Sequence, residues 1–363
     1  LSNLKTDRGC STLAFRGGRS IHQVALCVWF SCFGVDKEIG RWLTVFLSLI
    51  GIAALARVGA VIWTGVGADL TAGLAAVGFY FVAFDRTMLT EGILVALMSL
   101  CVLCGIRART KCSAALVGAS IGLLAMGFKY HALALIPSFF VFYLFRRKRV
   151  SWAFLLATIV TVVAWRTIPV PDFVAPKALE LPSRISHPTM GLAAPTQMLP
   201  SIWFAGIGAR FFLYQLPLLV FVGLEMMAFF SRPRQWLAQA SPPVLVAAVW
   251  FVVTLVGVGM FKYGPSRYYH LISPSFLFLA VAGIRRLWRG GLFTGIPNIR
   301  SLLITFTLGI WLQMQIFPPV PLFGAWKGWI PLLGAPLPLL IYWLLNRSGS
   351  EWKNAQRVRR VVV

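Results

Sequence analysis

Apolar residues in this chain run in long blocks separated by short polar gaps, with neither the two-residue alternation of half-buried strands nor a strict helical stripe. Eleven blocks can be drawn, at 42–63, 70–84, 88–106, 113–128, 131–145, 151–170, 203–230, 243–261, 270–284, 301–317 and 328–345. Roughly 20 apolar residues as helix cross the hydrocarbon of a bilayer. Several blocks are shorter, which tilt or half-buried ends accommodate. The pattern predicts an all-α, polytopic transmembrane bundle of about eleven spans. A shorter apolar stretch, His22 to Gly34, cannot cross and predicts an interfacial helix.

Composition strengthens this picture. Of 363 residues, 58% are hydrophobic and 12% charged, and the mean hydropathy is +0.79. Soluble domains carry about a quarter charged residues. The net charge of +24 raises the question of nucleic acid. A nucleic-acid binder gathers its cations on one face or tail, whereas here they punctuate the gaps between apolar blocks. That is the positive-inside pattern, so nucleic acid is excluded as a partner and the lipid bilayer is implied. The basic gaps at Arg107/Arg109/Lys111, Arg146 to Arg149, Arg232/Arg234, Arg285/Arg286/Arg289/Arg300 and the tail from Arg347 fall on one side, taken as cytoplasmic. The expected layout is an external segment 1–41, a transmembrane domain 42–345 with an external Pro-rich loop 171–202, and a basic cytoplasmic tail 346–363. An inner-membrane protein follows. No signal peptide is visible, and the chain starts outside without an initiator Met. A helix upstream of Leu1 would resolve that and give twelve spans. Cys101 and Cys104 form a C-x-x-C, but inside an apolar block without paired His, so they read as small helix residues.

Charge inside apolar blocks marks the candidate chemistry. Phe81 to Leu97 reads FVAFDRTMLTEGILVAL, with Asp85, Arg86 and Glu91 together. Each charge at a helix centre costs about 2.5–3.5 kcal/mol on insertion scales. A turn at the external boundary avoids that cost, and it places Glu91 in the first turn of the next helix, where the helix dipole favours a carboxylate. A straight helix would aim Arg86 and Glu91 about 140° apart, whereas a turn lets them pair. A second interruption is Lys129, Tyr130 and His131, preceded by the G-x-x-x-G of Gly118 and Gly122, a sign of close helix packing. A third joins Lys262, Arg267, Tyr268, Tyr269 and His270, cations beside rings that suit a phosphate or a sugar face. A fourth is Arg16, Arg19 and His22. For each, a hairpin tip or an interfacial aromatic belt is the plain alternative. Four cationic external segments point to one anionic ligand.

In this order the motifs resemble the GT-C superfamily of polyprenyl-phosphate-sugar-dependent glycosyltransferases, in its protein mannosyltransferase and lipid A aminoarabinose transferase branch. Ser20 to Leu26, Phe33-Gly34 and Ile39 to Arg41 look like the family's external H-P-P-L, F-G and R stretch, with Gln23 and Val24 in place of the prolines. Arg86 to Glu91 is similar to its R-x-x-x-x-[D/E], Gly118 to Lys129 to its G-x-x-x-G-L-A-x-x-x-K hairpin, and Arg267-Tyr268 through Pro274 to its late R-Y stretch. The resemblance covers most of 15–285. It implies inverting transfer of a sugar from a polyprenyl-phosphate donor at the external face, to an acceptor the sequence does not specify. Asp85 would orient the acceptor or a divalent cation, the one candidate cofactor. Arg86 and Glu91 would pair and fix the turn. Lys129, Arg267, Lys262 and Tyr268 would hold the donor, with His22 near its phosphate. The family's base follows its first helix, which by spacing from His22 falls upstream of Leu1. Asp7 is the acid here that precedes Asp36. Two rivals stand beside this reading: a transporter or flippase of an anionic or lipid-linked substrate, and an inactive, truncated transferase.

Overall fold

The computed structural model describes residues 20–78, 81, 90–167, 211, 215–259, 269–289 and 297–316. Among them every regular element is helical. In chain order these are α1 (Ser20–Phe33), α2 (Lys37–Ile62), α3 (Gly67–Val77), α4 (Thr90–Arg107), α5 (Lys111–Gly127), α6 (Leu135–Arg146), α7 (Lys148–Thr167), α8 (Leu216–Ser231), α9 (Pro233–Gln239), α10 (Pro242–Gly259), α11 (Ser273–Arg289) and α12 (Pro297–Ile316). Two 3₁₀ segments, Tyr130–Ala134 and His270–Ile272, precede α6 and α11.

Local chemistry sets the boundaries. Asp36 caps α2, its carboxylate accepting from Glu38 N at 2.6 Å. Thr110 and Ser113 form a reciprocal capping box at the start of α5. Between α2 and α3 the chain reverses through Gly65 at φ +90°, a conformation that favours glycine. The block expected at 70–84 ends early as a helix, with α3 giving way to extended backbone at Gly78. Glycine is a poor helix former, which explains a break seven residues before Asp85.

Packing follows small residues. The predicted Gly118/Gly122 stripe lies against α7, where a Cβ on Gly118 would fall 2.3 Å from Phe154 O. Gly283 lets α11 reach the backbone of α8 at Phe221 in the same way. Gly51 meets Ala96 where α2 packs on α4. At the centre stands α11, buried continuously from Tyr269 to Ile284 and touching α2, α3, α8, α10 and α12.

The outside of the bundle is apolar. On α7 the exposed large apolar side chains are Trp152, Leu156, Ile159, Val160 and Val163, and on α8 they include Val220, Met227 and Phe230. An apolar exterior of this extent marks a lipid-facing surface. Glu38–Ile62, Lys148–Trp165 and His270–Arg289 are long and apolar enough to cross a membrane, and a fourth span results if the bent pair Gln215–Ser231 and Pro233–Gln239 counts as one. The chain is an integral membrane protein. Fewer helices of full spanning length occur among the described residues than the eleven blocks imply, and the blocks at 70–84, 203–230, 243–261 and 328–345 extend into residues outside the described ones. The loop 171–202, the block 328–345 and the tail 346–363 lie outside the described residues.

Candidate functional site

Sequence-adjacent helices run antiparallel from α4 to α7, so the start of α4 and the end of α5 share one end of the bundle. There Lys129 Nζ donates to Glu91 Oε1 at 2.5 Å. Glu91 is 2% exposed and Lys129 5%. Glu91 occupies the first turn of α4, as expected, where the helix dipole favours its negative form. Lys129 sits between two helices in extended backbone, at φ −167° and ψ 136°. Its N–H reaches back to Leu124 O, and its own carbonyl accepts from Ala132 N. Residues 129–131 are therefore no solvated hairpin tip. Lys129 and His131 are both buried, and Tyr130, half-exposed, stacks on the His131 ring at 4.3 Å.

Other expected segments arrive at the same end. Both 3₁₀ segments pack on α10, and His270–Ile272 also touches α4. His270 is fully buried and meets the edge of Phe81 at 5.1 Å. Tyr269 stacks with Phe211 at 5.8 Å. Gln215 Oε1 accepts from Trp311 Nε1 at 2.9 Å, beside a small apolar recess lined by Leu74, Gly78, Phe81, Phe276 and Trp311. The start of α1 lies there too, with Ile21 filling the space a side chain at Gly127 would need. Trp29 Nε1 donates to Ile39 O at 2.7 Å and ties α1 to α2.

Of the expected site residues, the structure thus joins Glu91 and Lys129 directly. Asp7, Asp85, Arg86, Lys262, Arg267 and Tyr268 lie outside the described residues. So does the expected Arg86–Glu91 pairing. His22 belongs to α1 by its backbone. The residues that border 82–89 and 260–268, namely Phe81, Glu91, Tyr269 and His270, are gathered at this end. No three His, Cys, Asp or Glu side chains come together as metal ligands among the described residues.

Sequence reasoning missed a second buried carboxylate at the opposite end. Glu225, in α8, is 3% exposed. It accepts from Arg286 Nε at 2.7 Å, Arg286 NH2 at 2.9 Å and Trp236 Nε1 at 2.7 Å. A lone acid in the apolar run LPLLVFVGLEMMAFFS was the available signal. Nearby, Arg146 donates to the carbonyls of Leu237, Ala238 and Ala240, and Arg147 to those of Ile106 and Ala108. These cations neutralise helix C-termini.

No protein-family model matches the chain, and no curated protein does. Among solved structures, the apo crystal structure of ArnT from Cupriavidus metallidurans is similar, with a TM-score of 0.52 at 18% identity over 89% of this chain. The crystal structure of the same ArnT bound to undecaprenyl phosphate gives 0.47 at 17% identity over 83% of this chain. The chain spans 63% of the length of ArnT in the first comparison and 55% in the second. What is shared is the fold: this is an all-helical membrane protein with an ArnT-like arrangement of helices.

Proposed function

We propose that the chain is a membrane glycosyltransferase that moves a sugar from a polyprenyl-phosphate donor to a lipid, protein or glycan acceptor at the external face. One observation carries this reading. The Glu91–Lys129 pair, the Phe81–His270 contact and the start of α1 converge at one end of the bundle. Supporting it are the ArnT-like fold and the fact that ArnT binds undecaprenyl phosphate.

Chemically, the donor's leaving group is a lipid phosphate on which negative charge grows as the glycosidic bond breaks. Cations held in a low-dielectric site stabilise that charge without reorganising. Lys129, Arg267 and Lys262 fill this role, with Tyr268 against the sugar and His22 near the phosphate. Asp85 orients the acceptor. Glu91 keeps the Lys129 ammonium charged and aimed until a phosphate arrives. An acceptor nucleophile also requires a carboxylate base, and displacement at the anomeric carbon inverts it.

The test is a transfer assay on membranes containing the protein, supplied with a panel of radiolabelled polyprenyl-phosphate sugars. Label is expected to pass into an acceptor and to stop doing so in Arg267→Ala. Intact donor crossing between leaflets without transfer would establish the transporter reading. Neither transfer nor movement with any donor would establish the inactive one.

A further inference from the structure

We propose that the end opposite Glu91 carries a binding site for the headgroup of an anionic phospholipid, built by Arg232 and Arg234 where α8 turns into α9. This does not rest on the transferase reading. The chain bends by 118° between the two helices, so α9 runs across the bundle instead of along it. Its position is fixed from both sides. Trp236 turns inward and donates to Glu225, and Arg146 holds the carbonyls at its C-terminal end. What the turn and α9 leave outside is Arg232, Arg234 and Gln235, all exposed. Neither arginine has a carboxylate partner among the described residues, since Glu225 is occupied by Arg286 and Trp236. Arg232 faces only the neutral Gln235 Oε1, at 3.5 Å.

Immediately before this turn, Met227 and Phe230 are 61% and 76% exposed. The two guanidinium groups therefore stand at the border between an apolar, lipid-facing surface and a short helix that turns 118° away from it. That is the height of phospholipid headgroups. A guanidinium fork matches the oxygens of a phosphodiester, and the turn and α9 together present two of them without having to be ordered on binding.

Native mass spectrometry of the detergent-solubilised protein tests this with added phosphatidylglycerol or phosphatidylcholine. Phosphatidylglycerol is expected to be retained about tenfold more. The excess should vanish in R232Q/R234Q and persist in R109Q/K111Q, a pair of exposed cations on the α4–α5 connection and at the start of α5. Thermal melting of both variants, with Arg234→Gln alone as a milder second version, shows that they remain folded. Equal retention of the two lipids by the wild type would overturn the proposal. So would equal loss in both double variants, which would mean diffuse surface charge. Complete displacement of the lipid by soluble glycerol phosphate would also overturn it.

Discussion

Glu225 and Glu91 are each almost completely buried, and each faces a cation from a distant part of the chain. Glu225 receives three donors, two from the Arg286 fork and one from Trp236, and all three come from regular helices. Its lone pairs are spoken for in a fixed geometry. Glu91 meets the point charge of Lys129, which sits where α5 has ended and a 3₁₀ turn begins. Irregular backbone at membrane depth is tolerated where it is buried in protein or lines a cavity. The first arrangement clamps α8, α9 and α11 together. The second lies on a segment whose shape is not dictated by helix geometry. Under the proposed transferase function the first end is framework and the second serves the chemistry.

Substitutions can break that contrast. Glu91→Ala should be the most damaging, because it removes the buried carboxylate to which Lys129 donates, at a cost of about 3–5 kcal/mol. Thermal melting and folded yield in detergent report it. Arg286→Ala should cost about 3 kcal/mol, since Arg286 is 38% exposed and solvent screens part of the pair. Transfer per folded molecule should be retained, and a selective loss of transfer would erase the distinction between the ends. Trp236→Phe keeps the ring packing and removes one charged hydrogen bond, a loss of about 2 kcal/mol in the same melt. Exchanging the acid and the base, Glu91→Lys with Lys129→Glu, should recover most of the stability. A residual deficit of about 0.3–1 kcal/mol remains because a cation then sits at a helix N-terminus. Recovery of transfer along with stability would make this pair a clamp like the other.

Much of this was legible in the sequence where a single helix decides. The spans around α4, α5 and α10 fall within a few residues of the apolar blocks, and Gly118 and Gly122 mark the α5–α7 seam because only small residues permit that approach. Glu91 was readable as a first-turn acid. Its partner was not: Lys129 lies 38 positions on, and pairing it required knowing how α4 and α5 lean together. Arg286 was counted among cations that set orientation, and its second role depends on the packing of α8 on α11. The helix α9 left no mark on the hydropathy pattern because PRQWLAQ is too short and too polar to form an apolar block. The break at Gly78 was hidden by apolar residues on both sides of it.

The proposed role of Lys129 at the donor phosphate is tested by the rate of label transfer from a polyprenyl-phosphate sugar in proteoliposomes bearing wild type or Lys129→Met, normalised to folded protein. Loss of one preorganised cation predicts a fall of about 100- to 1,000-fold, with the Arg286→Ala rate close to that of wild type. An unchanged rate in Lys129→Met, or an equal fall in both variants, would contradict the account.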